Sequence, residues 1–223
     1  EQICARLQLK ANGQKNLKQN KINKKFVYLI SPNKINDINF YNDLALVLSS
    51  KKIGFFQLRL KKETNSNKLI IGKKIKKICN KYKVKFLIND DPLLAKKLNA
   101  DGCHLGQKDM DLIKARKILK NKIIGVTCHN SINLAKRAIE AGADYLAFGA
   151  FYATKTKIVK YRASLTVLKS IKKITTIPIV AIGGIKFSNY KKLLLNKANF
   201  LAISGYIWNN KKYKPLEAIK KLK

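Results

Sequence analysis

Eight short apolar runs recur along the chain, and segments with a helical pattern lie between them. Short continuous apolar runs are typical of strands that are buried on both faces of a sheet. The runs are Phe26–Ile30, Ile53–Leu58, Phe86–Ile88, Gly102–Leu105, Ile123–Val126, Tyr145–Gly149, Ile179–Ile182 and Phe200–Ser204. The pattern therefore predicts eight strands that alternate with helices.

One intervening segment shows its helix clearly, because Leu134, Ala138 and Ala141 share one face and Gly142 follows as a stop signal. Strands alternating with helices build a parallel sheet, either closed or open and doubly wound. The number of units, the missing G-x-G-x-x-G after the first run and the polar clusters at strand ends favour an α/β (β/α)8 TIM barrel. We predict one barrel domain over residues 25–223. Residues 1–24 are expected to form an N-terminal extension, partly helical and partly loose.

The size and composition fit one barrel. Such a domain needs roughly 200 residues, and the chain has 223. No run approaches the roughly 18 apolar residues of a membrane-spanning helix, and Arg6 and Lys10 interrupt the first apolar stretches. We expect a cytoplasmic protein without a membrane partner. The four cysteines form no C-x-x-C pair and there are two histidines, which argues against a zinc site or a disulfide framework.

The net charge of +36 comes from 48 basic and 12 acidic residues. A basic surface favours anionic partners, nucleic acid among them. The lysines, however, are scattered as doublets on the polar faces of predicted helices, without clustered aromatic residues. This distribution indicates a solvated surface that attracts phosphorylated small molecules, and it argues against nucleic acid as the partner.

Two cations follow the second run. In a barrel of this kind the active site lies at the C-terminal ends of the strands. Residues two apart share one face of a strand, so Leu58 and Leu60 are expected to face the helices, and Gln57, Arg59 and Lys61 the barrel axis. Two buried cations need an anion beside them. The alternative is a strand that ends early and leaves Lys61 in solvent.

Scarce acidic residues gather after the third and fourth runs. Asp90 and Asp109 lie just past adjacent strands, so both could reach one ion. Mg²⁺ typically takes one or two carboxylates and completes its shell with water and phosphate oxygens. The alternative is helix capping, which we accept for Asp91, before Pro92, and for Asp111.

Further polar groups follow the later runs. Thr127 and His129 come after the fifth, where the hydroxyl can bind a substrate and the histidine is either catalytic or structural. His104 is expected to be structural. After the sixth run, Thr154-Lys155-Thr156-Lys157 alternates hydroxyl and ammonium groups suited to phosphate oxygens. The glycines after the seventh run and Ser204 near the end of the eighth stand where such barrels commonly bind phosphate. Two anion sites indicate two phosphorylated substrates.

Taken in order, these segments resemble the thiamine phosphate synthase family. The matching pieces are Gln57–Lys61, Asn89–Asp91, Ala100–Asp109, Gly125–His129, Ala143–Tyr145, Thr154–Lys157, Ala181–Ile185 and Ile203–Ser204. The resemblance implies a transferase that joins an aminopyrimidine diphosphate to a thiazole phosphate with Mg²⁺. In that family pyrophosphate leaves first and the thiazole nitrogen then attacks the pyrimidine methyl cation.

The resemblance also implies roles for individual residues. It assigns the pyrimidine diphosphate to the segment Gln57, Leu58, Arg59, Leu60 and Lys61, with Asn89 and Thr127, and Mg²⁺ to Asp90 and Asp109. It assigns the thiazole phosphate to Thr154, Lys155, Thr156, Gly184, Ile203 and Ser204. Arg59, Lys61 and Lys157 would be catalytic by stabilising the departing pyrophosphate.

Two departures from the family pattern and three rival readings accompany this resemblance. Ala153 stands where a proline is common, and the loop from Ile158 to Ser164 lacks a usual glycine. The rivals are a thiazole tautomerase-like (regulator-like) barrel, which tends to lack the second acidic position, a barrel that binds without turnover, and a basic nucleic-acid-binding protein. The sequence leaves the oligomeric state open and allows a homo-oligomer.

Overall fold

Eight parallel strands close into a barrel in the computed structural model, which describes residues 25–35, 38–154 and 159–223. The strands are β1 (Val27–Ile30), β2 (Ile53–Leu58), β3 (Lys85–Asn89), β4 (Gly102–Leu105), β5 (Ile123–His129), β6 (Tyr145–Gly149), β7 (Ile179–Ile182) and β8 (Phe200–Ile203). Their order around the barrel follows the chain, and β8 pairs with β1. The predicted (β/α)8 TIM barrel is therefore confirmed, and the open doubly wound sheet is excluded. The expectations for residues 1–24 lie outside the described residues.

A layer of helices surrounds the barrel. The helices are α1 (Ile38–Ser49), α2 (Asn65–Lys81), α3 (Pro92–Lys97), α4 (Leu112–Leu119), α5 (Ile132–Glu140), α6 (Leu165–Lys172), α7 (Tyr190–Leu195), α8 (Gly205–Trp208) and α9 (Pro215–Lys221). Asp91 and Asp111 cap α3 and α4 as predicted, because their carboxylates accept backbone N–H groups of the first turn. Among the described residues, no helix is long and apolar enough to cross a membrane.

Alternation along the strands separates two apolar cores. Outward side chains such as Leu29, Phe56 and Leu146 pack against the helices. Inward side chains such as Ile30 and Leu87 fill the barrel. The strands are buried on both faces, as their continuous apolar runs predicted, so polar side chains collect at the strand ends.

Strand β5 is longer than the sequence suggested. The apolar run predicts a strand from Ile123 to Val126, but the strand continues through Thr127 and Cys128 to His129. The pairing of β5 with β6 shifts register between Thr127 and His129, and His129 has a φ of 54°. This irregularity bends the strand end, so that Thr127 and His129 form part of the C-terminal rim.

Candidate active site

Carboxylates and cations meet where β2, β3 and β4 end. The ammonium of Lys61 lies 2.9 Å from a carboxylate oxygen of Asp90. Asp90 has a φ of 65° and its backbone N–H donates to the carbonyl of His104, 2.8 Å away. Asp109 accepts a hydrogen bond of 2.7 Å from the N–H of Gly106. The rim thus brings together two carboxylates that are nineteen positions apart in the sequence.

The carboxyl groups of Asp90 and Asp109 influence each other's protonation, and their pKa values shift in opposite directions. For Asp109, burial and the bond to Asp90 raise the pKa. For Asp90, burial works upward, but the hydrogen bonds from Lys61 and Asp109 outweigh it and lower the pKa. Two carboxylates this close repel each other unless they share a proton or a cation. The pair fits Mg²⁺, with its remaining positions left to water and phosphate.

Arg59 and Lys61 supply positive charge beside this pair. Burial lowers the pKa of Arg59, and the charge of Asp90 partly offsets this effect. The backbone of Arg59 is held by the hydroxyl of Ser31, which accepts its N–H at 2.9 Å. Strand β2 ends at Leu58, and the side chain of Lys61 is 54% exposed. Both observations agree with the alternative in which the strand ends early. Lys61 is nevertheless paired with Asp90 rather than left in solvent.

Other predicted residues lie on the same rim with different orientations. Leu58, Leu60 and Ile203 are buried in the outer core against the helices, so they can meet a substrate only through their backbones. Asn89 ends β3 opposite His104. The outward positions of Leu58 and Leu60 agree with the alternation predicted from the sequence.

The loop after β6 crosses the glycines after β7. Gly183 and Gly184 have φ values of 104° and 61°. A Cβ on Gly184 would overlap the carbonyl oxygen of Ala153, so only glycine lets this loop approach so closely. Thr154, which follows Ala153, is thereby brought beside Gly184. The other members of this motif, Lys155, Thr156 and Lys157, lie outside the described residues.

Ser204 and His129 complete the rim. The hydroxyl of Ser204 donates to the carbonyl of Ser31 at 3.1 Å and precedes α8. The ring of His129 packs on Tyr161, with the two centroids 4.4 Å apart. Tyr161 belongs to the segment that returns from the loop, and its carbonyl accepts the N–H of Ala150. His129 therefore helps to fix this returning segment to the rim.

Sequence reasoning missed a buried polar network that reaches this rim. Tyr28 and Tyr145 share a hydrogen bond of 2.8 Å in the barrel interior, and His104 bonds both Tyr145 and Thr127 at 2.8 Å. His104, taken as structural from its apolar neighbours, points into the barrel. The available signal was that Tyr28, Gln57 and Tyr145 stand at inward positions of their strands.

A closed parallel barrel whose C-terminal rim gathers paired carboxylates, two cations and a glycine loop defines a TIM-barrel enzyme with a site built for anionic substrates. The model of one family, described as thiamine monophosphate synthase, matches residues 27–207. The chain belongs to this family.

Individual relatives agree with the family match. The chain is 93% identical over 207 residues to a thiamine-phosphate synthase of Pelagibacter ubique, covering 93% of this chain and 100% of the relative. It is 45% identical over 150 residues to a thiamine-phosphate synthase of Marinobacter nauticus, covering 67% of each chain. Among solved structures, thiamine phosphate pyrophosphorylase from Pyrococcus furiosus is similar, with a TM-score of 0.78 and 26% identity over 91% of this chain and 96% of that one.

Proposed function

We propose that the chain is a thiamine phosphate synthase, a transferase that condenses 4-amino-2-methyl-5-hydroxymethylpyrimidine diphosphate with 4-methyl-5-(2-phosphoethyl)thiazole. The products are thiamine phosphate and pyrophosphate. The observation that carries the proposal is the Asp90–Asp109 carboxyl pair with Arg59 and Lys61 beside it, in a chain 93% identical to a named synthase. Within this proposal the enzyme acts in the cytoplasm on two phosphorylated small molecules.

Asp90 and Asp109 would hold Mg²⁺, which supplies positive charge to the pyrophosphate when it is bound. Arg59 and Lys61 add fixed cations at the same place, and Lys157 is proposed to reach the pyrophosphate from the loop after β6. The departing group gains negative charge as its bond to the pyrimidine methylene breaks. Cations already in position stabilise that charge without reorganisation.

The second substrate is proposed to bind on the opposite part of the rim. Thr154 to Thr156, Gly184 and Ser204, with the backbone of Ile203, would hold the thiazole phosphate. The attacking atom is a ring nitrogen that has no proton to lose, so the step needs no general base. This chemistry accords with a rim where His129 packs on Tyr161.

The test is pyrophosphate release by the purified protein, with each substrate alone, with both, and with both plus EDTA. We expect release only with both substrates and Mg²⁺, with thiamine phosphate formed in equal amount. If no pyrophosphate is released in any of these conditions while the substrates still bind, the protein is a barrel that binds without turnover. Conversion of a thiazole tautomer without pyrophosphate release would instead assign the tautomerase reaction.

A further inference from the structure

Five inward side chains from five strands form one line of hydrogen bonds through the barrel. The amide nitrogen of Gln57 donates to the Tyr28 hydroxyl at 3.0 Å, and the Tyr28 and Tyr145 hydroxyls are 2.8 Å apart. His104 continues the line, with Nδ1 2.8 Å from the Tyr145 hydroxyl and Nε2 2.8 Å from the Thr127 hydroxyl. The line runs from a fully buried end at β2 to the half-buried rim at β5.

The donor at Gln57 gives this line one direction. Each hydroxyl has a single hydrogen, so Tyr28, which accepts from Gln57, must donate to Tyr145. Tyr145 then donates to Nδ1 of His104, and the hydrogen on Nε2 goes to Thr127. The reverse direction would aim the Tyr28 hydrogen at an amide donor in the buried interior of the barrel, which is costly. Burial also raises the pKa of Tyr28 and Tyr145, so both remain neutral donors.

A glycine inside the barrel leaves the space that these polar side chains occupy. Gly125 faces the interior, and a Cβ on it would overlap the ring of Tyr145. The surrounding inward residues are apolar, among them Phe55 and Leu87. Polar groups in such surroundings are tolerated only when each contact is made.

We propose that this line fixes His104 as its Nε2–H tautomer and thereby commits the hydroxyl hydrogen of Thr127 to an acceptor atom of the bound pyrimidine substrate. Thr127 accepts from His104, so its own hydrogen is the one left to donate toward the rim. His104 and Tyr145 are positioning residues, since they act through Thr127. The substrate contact rests on the proposed function, whereas the tautomer is a property of the protein alone.

The tautomer can be measured directly, because the chain has two histidines, His104 and His129. Long-range ¹H–¹⁵N correlation spectra of protein labelled with ¹⁵N-histidine separate the two neutral tautomers and the imidazolium. His129→Asn assigns the signals, since asparagine accepts the positive φ at that position. We expect Nε2–H at His104. The Nδ1–H tautomer or an imidazolium at His104 would overturn the proposal, because in either form Nδ1 donates to Tyr145.

Two variants test the direction. Tyr145→Phe keeps the ring but removes the donor to Nδ1, so the Nε2–H form should no longer dominate. Thr127→Val removes the hydroxyl at the rim end of the line. The Nε2–H form of His104 should persist in this variant, because Tyr145 still donates to Nδ1. Tyr28→Phe leaves the Tyr145 hydroxyl as the donor to Nδ1, so the Nε2–H form should persist there as well. If Tyr145→Phe does not fold, the tautomer in the unsubstituted protein still decides the proposal. A tautomer that changes in Thr127→Val but not in Tyr145→Phe contradicts the proposed direction.

Turnover tests the consequence for the substrate. Thr127→Val and Tyr145→Phe should lower kcat/KM by roughly 10-fold, as loss of one hydrogen bond does, and Thr127→Ser, which keeps the hydroxyl, should lose less than Thr127→Val. Tyr190→Phe is the matched control, because that buried hydroxyl bonds the backbone of Lys223 outside the barrel. Equal losses in Tyr190→Phe and Tyr145→Phe would reduce the line to packing. If the protein forms no thiamine phosphate, the proposed function fails while the tautomer measurement still decides this inference.

Discussion

At the scale of single residues, the raised pKa of Asp109 predicts that the proposed Mg²⁺ competes with a proton for this carboxyl group. Because folding raises the pKa of Asp109, its protonated carboxyl group stabilises the folded protein at pH values below the ordinary carboxyl range. This contribution to stability is lost as the pH rises through the raised pKa. In the proposed metal site, Mg²⁺ would replace the proton and relieve the repulsion from Asp90. The thermal stabilisation by Mg²⁺ should therefore be larger at neutral pH than at about pH 5.

Asp109→Asn tests this competition. The amide keeps an acceptor for the N–H of Gly106 but removes one metal ligand charge, so we expect stabilisation by Mg²⁺ to disappear and turnover to fall by about 100-fold. Differential scanning fluorimetry with and without Mg²⁺ measures the first effect. Asp111→Asn is the control, because that side chain caps α4. A Mg²⁺ response that persists unchanged in Asp109→Asn would remove this residue from the metal site.

Lys157 carries the sharpest prediction on the pyrophosphate. Lys157→Ala should lower kcat by on the order of 100-fold, as loss of one preorganised contact in the transition state does. Lys160→Ala removes the same charge from an exposed position of the same loop and should leave kcat within about 2-fold. Steady-state pyrophosphate release measures both, and similar rates for the two variants would contradict a catalytic Lys157.

Whether the sequence predicts a site residue depends on whether its position follows from the order of the strands or from side-chain contacts inside the barrel. Asp90 and Asp109 could be predicted to meet because the ends of neighbouring parallel strands share one rim. The line from Gln57 to Thr127 could not, because it depends on which inward side chains touch across the closed barrel. Tyr28 and Tyr145 are 117 positions apart, and no periodicity pairs them.

At the scale of elements, three helix-to-strand turns share one construction. Each has a residue of positive φ, then a buried alanine, then Asp101, Asp144 or Asn199 at the start of the next strand. The side chains of these three accept the N–H of Phe86, Ile124 and Ile179, and their backbone N–H groups donate back to the carbonyls of the same residues. This repeated clamp sets where β4, β6 and β8 begin.

These strand starts were predictable, since a buried apolar run marks each of them and Gly142 marks the end of the helix before β6. The end of β5 was not, because its register shift against β6 is a property of the pairing. The apolar periodicity of a sequence predicts which residues are buried, but it does not predict a register shift between two strands.

The positive φ values at the helix ends predict opposite effects of two substitutions. Gly142→Ala should lower the free energy of unfolding by about 1 kcal/mol, since its φ is 85° and an added Cβ meets no atom within 4 Å. Lys197→Gly, at a φ of 73°, should raise it by about 0.5–1 kcal/mol. Urea unfolding measures both. Lys136→Gly removes the same charge inside α5 and should destabilise, so a stabilising result there would point to charge instead of backbone strain.

At the scale of the whole molecule, charge is the dominant feature outside the site. The chain has a net charge of +36, and the described residues contain three ion pairs, Lys61–Asp90, Lys85–Asp101 and Arg116–Asp144. Most lysines in the described part of the chain therefore lie without a carboxylate in ion-pair distance. Surface charge of this kind affects solubility and association rates rather than the fold. For this reason the barrel could be predicted from the order of the apolar runs in spite of the high net charge.

This surface predicts a stability that rises with salt. Unpaired like charges repel one another in the folded state, and raising NaCl from about 20 mM to about 300 mM shortens the screening length from roughly 20 Å to roughly 6 Å. We expect the Tm to rise by about 3–6 °C, which corresponds to about 1–2 kcal/mol for a domain of this size. NaCl and KF should give the same shift if screening is the cause, whereas a larger shift in one salt indicates binding of its ions. A Tm that stays constant or falls in both salts would mean that the folded surface keeps its charges far enough apart for repulsion to be negligible.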